Sequence, residues 1–279
     1  EKFCKDRAVF NAVLEGIQII DGKRQDKSPD ALPEMLTEAL QVGFDTNVGH
    51  DFIEDADKRF DFYNRVEGKV PFDLMTLANN NPLFEIRNYS EDIRSYRKLI
   101  PALKDFPNDI IVTVDDDVLY HKNMLRDLLY LHKQIPDVII ANRAKKIKLN
   151  APYRQWKKYR WYHFFANRLH FSFKNIQTGV GGVLYPPNSL NQEMIDSNIF
   201  KEIAATTDDI WFWAAAVANG TYILPFPFGK YNKPRGLNKP KKLSLKTVNF
   251  KTGTDLNRIG LEKILKKYSA IRERIENEK

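Results

Sequence analysis

The chain has 279 residues, 43% of them hydrophobic, with 18 Phe, 12 Tyr and 4 Trp, which is ample material for a core and too much for a disordered chain. Its 44 Lys and Arg against 36 Asp and Glu leave a net charge of +8, which attracts phosphate groups, nucleic acid or anionic lipid without choosing among them. The longest apolar run, Ile210 to Ala218, falls far short of the ~18–20 residues that cross a bilayer, so no transmembrane helix is expected.

The opening residues, Glu1 to Asp6, have no signal-peptide apolar core and no Met, which points to a trimmed chain. One cysteine, Cys4, fits a reducing compartment. Gly16 to Ile20 reads as a short strand. Asp30 to Val42 places Leu32, Met35, Leu36, Ala39 and Leu40 on one helical face that ends at Gly43. Phe44 to Phe72 has no clear period. Phe84-Glu85-Ile86 alternates as a strand, and a helix is expected from Ser90, carrying Tyr96, Leu99, Ile100 and Leu103. On that helix Arg94 and Lys98 are four apart and share a face.

Asp109 to Val114 is an almost continuous β-branched run, which predicts a buried parallel strand. Asn123 to Ile135 is an amphipathic helix stopped by Pro136, and Val138 to Ala141 is the next strand. That order is a βαβ unit and predicts an α/β fold. Ala151 to Phe173 is aromatic and basic. Thr178 to Tyr185 joins a glycine-rich loop to a strand. Thr207 is expected to cap a helix from Asp208 to about Ala218, closed by Gly220. Tyr222 to Leu224 is a last strand, Pro225 to Asn249 a basic surface loop, and Thr254 is expected to cap a C-terminal helix.

The chemistry concentrates in two acidic groups. Asp115-Asp116-Asp117 follows a buried strand, at the sheet edge where α/β proteins bind ligands. Adjacent carboxylates repel, and a hard divalent cation relieves this. Residues i and i+2 of extended chain face one side, so Asp115 and Asp117 are the candidate ligands for Mg²⁺ or Mn²⁺. A solvated acidic turn is the bland alternative. Asp208-Asp209 stands at a helix N-terminus, which favours carboxylates, so one of the pair serving only as a cap is a serious alternative. Arg143 sits just past the Val138–Ala141 strand and is a phosphate or sugar candidate. The glycines of the 178–182 loop lack the phosphate-loop pattern, although glycine permits close backbone approach to a ligand. Trp211 and Trp213, two apart, read as core rather than as sugar platforms.

The runs EDIRSYRKLIPAL, IIVTVDDDVLY, GVGGVLYPPNSL and TTDDIWFW, in that order, resemble bacterial nucleotide-sugar glycosyltransferases of the GT-A fold, DXD-containing and of the family-two or exostosin-like kind. The resemblance runs from about Leu83 to Leu224. It implies an α/β, Rossmann-like nucleotide-diphospho-sugar transferase fold with a mixed central sheet flanked by helices. Residues 1–250 would form that domain and 251–279 a C-terminal helical tail.

By the same resemblance Asp115 and Asp117 hold the metal, with Asp116 near the donor ribose or sugar. Arg94, Lys98 and Arg143 approach the donor diphosphate, and Gly181 and Gly182 floor the sugar or acceptor site. Asp209 is the general base of an inverting transfer, with Asp208 binding acceptor or sugar. The family's frequent third ligand, a late His, has no counterpart after His170, so Asn249, Asp255 or water would take its place. The implied substrates are a UDP-sugar donor and a glycan acceptor of a bacterial surface polysaccharide or lipopolysaccharide. The implied location is cytoplasmic, with peripheral contact at an anionic inner membrane face as a further partner class and no nucleic acid. Two other readings stay open: a metal-dependent nucleotidyl- or phosphotransferase, and a non-enzymatic nucleic-acid binder using the basic, aromatic Lys145–Arg160 segment.

Overall fold

A computed structural model describes residues 87, 89, 91, 93–115, 118–120, 124–160, 171–226, 235–236 and 254–278. The expected elements at Gly16–Ile20, Asp30–Val42 and Phe84–Ile86 lie outside these residues, as do Asp116, Asp117 and Asn249.

The main sheet has four short strands: β1 (Ile111–Thr113), β3 (Ile139–Ala141), β7 (Val183–Tyr185) and β8 (Ile223–Pro225), in the order β1-β7-β3-β8. β3 and β8 are parallel, while β7 runs antiparallel to both β1 and β3. The protein is therefore mixed α/β. The parallel neighbour expected for β1 is replaced by β7. β1, the helix α2 (Met124–Gln134) and β3 still make a same-direction crossover, but β7 is inserted between the two strands. Three residues such as Val183-Leu184-Tyr185 suit either direction, because both strand faces are buried.

Alternate residues of each strand enter opposite halves of the core. Ile111, Ile139, Ala141, Val183, Tyr185 and Ile223 face one side. Val112, Ile140, Leu184 and Leu224 face the other, where Met124, Leu125 and Leu128 of α2 cover them. The first side is covered by α1 (Ile100–Asp105), α5 (Asp208–Asn219) and the C-terminal helices α6 (Leu256–Lys267) and α7 (Ser269–Glu276). Between α1 and α5 in the chain come the short helices α3 (Gln192–Asp196) and α4 (Phe200–Ile203).

Helix α5 is buried nearly all round, with Ile210 through Val217 inside. Trp211 and Trp213 are both core, and the Trp213 indole N–H donates to the Phe173 carbonyl at 2.8 Å. Its start is not capped by the Thr207 side chain, whose hydroxyl turns back to the Ala204 carbonyl at 3.3 Å. Its end follows expectation: Gly220 is left-handed at φ 80°, and Arg274 of α7 donates to the Val217 and Ala218 carbonyls at 2.6 and 3.1 Å. The C-terminal segment begins at a different cap from the expected Thr254. Asp255 accepts from the Arg258 N–H, and the helix breaks at Tyr268 into α6 and α7.

A second sheet, in the order β5-β4-β6, comprises β4 (Ala144–Lys146), β5 (Lys157–Lys158) and β6 (Asn175–Gln177), all antiparallel. It continues from the first. The chain passes from β3 to β4 across Asn142-Arg143, and from β6 to β7 across Thr178–Gly182. Hydrogen bonds persist through the bend, from Thr178 N–H to the Arg143 carbonyl at 2.8 Å and from Asn142 N–H to the Gly182 carbonyl at 3.2 Å. A two-stranded ribbon pairs β2 (Val118–Leu119) with β9 (Arg235–Gly236). No helix among the described residues is long and apolar enough to cross a membrane.

Candidate active site

The register brings the site together. Thr113 of β1 and Ala141 of β3 both pair with Val183 at the start of β7. The segment after β1, the bend after β3 and the loop before β7 therefore share one edge of the sheet. Asp115, Arg143 and Gly179–Gly182 all lie there. The N-terminus of α5 brings Asp208 and Asp209 to the same place.

Lys98 is the centre of the cluster. Its ammonium lies 3.2 Å from Asp115 Oδ1 and 3.1 Å from Asp208 Oδ2. Residues 94–98 form a 3₁₀ turn, not the α-helix that the spacing suggested. Such a turn advances by three residues, so Arg94 and Lys98 do not share a face. Lys98 points into the acidic cluster and Arg94 is exposed, which corrects the expectation that the two share one helical face. Burial opposes the Lys98 charge, but Asp115, Asp208 and Asp209 outweigh it and hold its pKa well above the usual lysine value.

Asp209 behaves in the opposite way. Its Oδ1 accepts the Gly179 N–H at 2.9 Å, and Gln177 donates to its backbone carbonyl at 3.3 Å. Burial, then the neighbouring Asp208, push its pKa up to about 7, against the opposing pull of Lys98 and the Gly179 N–H. A carboxyl that titrates near neutral pH can accept a proton from a hydroxyl and release it again. Desolvating these carboxylates costs several kcal/mol each where they are unpaired. Fully burying side chains of the size of Trp211, Phe212 and Trp213 contributes about 2–3 kcal/mol apiece or more, so the apolar body of α5 offsets the cost of its acidic end.

Two residues not chosen individually from the sequence, Gly179 of the glycine loop and Tyr120, lie against the site. Gly179 lets the backbone pass close to the cluster: a Cβ there would run into Lys98 Nζ, the end of a flexible side chain, and lie 3.3 Å from Asp209 Oδ1. Gly181 and Gly182, singled out instead, are accounted for by protein neighbours. A Cβ on Gly181 would lie 2.8 Å from the Arg143 backbone nitrogen, and Gly182 has φ 85°. Tyr120 takes the Asp115 N–H on its hydroxyl at 2.9 Å and donates to the Val180 carbonyl at 3.2 Å, which ties the strand end to the glycine loop. A loop tyrosine in a sequence rich in tyrosine carries no signal of that role.

Arg143 stands at the expected edge, with its carbonyl accepting both the Thr178 N–H and hydroxyl. Asp255, the suggested third metal ligand, is committed elsewhere: Oδ1 accepts from Arg258 N–H at 3.2 Å and Oδ2 from Tyr153 N–H at 2.8 Å. Among the described residues, no group of three His, Cys, Asp or Glu side chains is arranged to hold a metal ion. Asp116 and Asp117 lie outside those residues, and the Lys98 ammonium stands between Asp115 and Asp208. Carboxylate oxygens are the donor type that Mg²⁺ and Mn²⁺ take, and the described residues show Asp115 alone of the two expected ligands.

No protein-family model matches the chain, and no solved structure matches it. A DnaB-like replicative helicase of Enterobacteria phage T4 is 39% identical over 85 residues, which is 28% of this chain and 18% of the helicase. The chain thus spans less than a fifth of that relative's length. It carries no G-x-x-x-x-G-K-[ST] phosphate loop, so this short likeness brings no such nucleotide-binding loop with it.

Proposed function

We propose that the protein is a metal-dependent glycosyltransferase of the GT-A type that moves a sugar from a nucleotide-diphosphate donor, a UDP-sugar, to a glycan acceptor. The observation that carries this reading is the meeting of Asp115 with Asp208 and Asp209 around Lys98 at one sheet edge, with Asp209 lifted to about 7. The ordered sequence motifs supply the sugar chemistry, and a bacterial surface polysaccharide or lipopolysaccharide is the acceptor class they suggest.

Asp115 and Asp117 are the residues that would hold Mn²⁺ or Mg²⁺, with Asp116 toward the donor. The ion, when bound, supplies charge neutralisation to the diphosphate leaving group. Lys98, whose proton is held tightly, adds a fixed positive charge at the same place. In an inverting transfer Asp209 takes the proton of the acceptor hydroxyl as the new glycosidic bond forms. Gly179 holds Oδ1, which leaves Oδ2 as the oxygen that receives the proton. Asp208, buried and paired with Lys98, positions that lysine between the two acidic groups.

Calorimetric titration with UDP, with and without Mn²⁺, tests the reading. Metal-dependent binding that disappears in Asp117→Ala and persists in Asp209→Asn is expected. UDP binding that is indifferent to metal, or absent, overturns it.

A further inference from the structure

Lys98 joins stretches of chain that are far apart in sequence. Its ammonium meets Asp115 Oδ1, just past β1, at 3.2 Å and Asp208 Oδ2, at the start of α5, at 3.1 Å. The loop before β7 stands against its end, since a Cβ added to Gly179 would run into Lys98 Nζ and lie 3.3 Å from Lys98 Cε. The two ends of this bridge differ. The Asp208 side chain is 9% exposed and that of Asp115 is 27% exposed. Among the described residues, Asp208 Oδ2 is buried and accepts no hydrogen bond, so it depends on the charge of this ammonium. Asp115 is open enough for water to replace the lysine.

A divalent ion on Asp115 therefore has to compete with the lysine. Mg²⁺ bonds oxygen at about 2.1 Å, and Mn²⁺ favours the same donors. An ion at that distance from Asp115 Oδ1 is no farther than roughly 5 Å from an ammonium that stays 3.2 Å from the same oxygen. A double and a single positive charge that close repel strongly, and one must give way. The backbone of Asp115 is fixed: its N–H donates to the Tyr120 hydroxyl at 2.9 Å, which in turn donates to the Val180 carbonyl at 3.2 Å. The lysine is the longer and more flexible arm. Its tether at Asp208 is the buried one, and its tether at Asp115 is the one open to solvent.

We infer that Lys98 is an exchangeable cation of the site: it bridges Asp115 and Asp208 in the metal-free protein, and a divalent ion taken up by Asp115 releases it from that carboxylate while Asp208 keeps hold of it. The inference deepens the transferase reading and rests on the metal site in it. Without the ion, the ammonium neutralises both acidic groups and ties the end of β1 to the start of α5. With the ion, the N–H that Lys98 gave to Asp115 is free for an anionic oxygen, while Asp208 still fixes where the ammonium stands. Metal and lysine are then rivals for Asp115 and partners toward a diphosphate. The affinity for the ion is accordingly lower than Asp115 would show without the lysine beside it.

Mn²⁺ alone, without nucleotide, is titrated calorimetrically into the whole chain as wild type, Lys98→Met and Lys98→Arg, with the fold of each checked by circular dichroism. Lys98→Met is expected to bind Mn²⁺ about tenfold more tightly than wild type, because the competing charge is gone, and Lys98→Arg no more tightly than wild type. A lysine with a purely structural part moves the affinity the other way, since its loss loosens the site. A second measurement uses wild type alone and so holds even where Lys98→Met does not fold. The chain is labelled with trace acetic anhydride at constant pH, with and without Mg²⁺, and acetylation of Lys98 is read by mass spectrometry against the exposed Lys263. A several-fold rise in Lys98 labelling with Mg²⁺ is expected. Equal or weaker Mn²⁺ binding in folded Lys98→Met, or Lys98 labelling that Mg²⁺ leaves unchanged, overturns the exchange. If metal releases Lys98 but UDP does not bind with Mn²⁺, the exchange stands and the transferase reading falls. If UDP binding needs Mn²⁺ while Lys98 labelling stays unchanged, the exchange falls and the transferase reading stands.

Discussion

The acidic edge around Lys98 and the basic ribbon around Lys145 both feel the charge of Asp209, and each withdraws one lysine from water. Lys98, facing three carboxylates, has its pKa driven well above the usual value despite burial. Lys145, facing Arg143 and Lys158, falls to about 8. The same side chain at adjacent places in one fold responds in opposite directions. Burial costs both of them, and the sign of the neighbouring charges decides the outcome.

The largest expected effect comes from removing the group common to both regions. Asp209→Asn is expected to lower the transfer rate by about 10²–10⁴-fold, the usual contribution of a general base, with donor binding retained. A rate within a few-fold of wild type would remove Asp209 from the mechanism. The same variant sharpens the electrostatic argument through stability. In the metal-free folded chain Asp209 keeps its proton up to about pH 7, whereas the unfolded chain releases it near the usual carboxylate value. The folded state then binds more protons between those pH values, so this group's stabilising effect is full at low pH and is lost as pH rises through 7. Asp209→Asn is accordingly expected to melt above wild type at pH 8 and level with it at pH 4.

Lys98→Met breaks the acidic side directly, because it leaves Asp208 buried with no ion-pair partner. A stability loss of about 3 kcal/mol at pH 7 is expected from urea unfolding, and it shrinks as acid protonates the carboxylates. Little loss at pH 7 would mean that the three carboxylates do not depend on the lysine. Gly179→Ala comes next, with about 1–2 kcal/mol expected from overpacking against Lys98 and Asp209 and a measurable fall in transfer rate. Tyr120→Phe is the mildest. It loses two hydrogen bonds at the edge of the site, about 1 kcal/mol, read as a small drop in melting temperature.

The parts of the fold that could be read in advance are those where one local pattern has one outcome. The β-branched run before Asp115, the period of α2, and the Asp208-Asp209 start and Gly220 end of α5 are of that kind. The antiparallel insertion of β7 was not, since strand direction leaves no trace in three buried residues. The shared face of Arg94 and Lys98 does not form, because a four-residue spacing matters only in an α-helix and the turn is 3₁₀. Gly179 could not be told from the other glycines of its loop, because what sets it apart is its closeness to Lys98 and Asp209, which are distant in sequence. The Asp255 cap was hidden by Thr254 beside it, an equally good capping residue. The like-charge register of Lys145 and Lys158 depends on where the β4–β5 connection turns, which composition does not specify.

The burial of α5 has a kinetic consequence. Eight consecutive residues, Ile210 to Val217, leave water when this helix docks, and the docking carries Asp208 and Asp209 with it. The apolar surface pulls the helix in, and its two acidic residues resist. Proton uptake by Asp209 lowers that resistance, so the barrier to docking this helix falls with pH. Stopped-flow refolding is expected to quicken between pH 8 and pH 6, and in Asp209→Asn to be fast at both. In that sense the charge at the start of the helix delays its arrival.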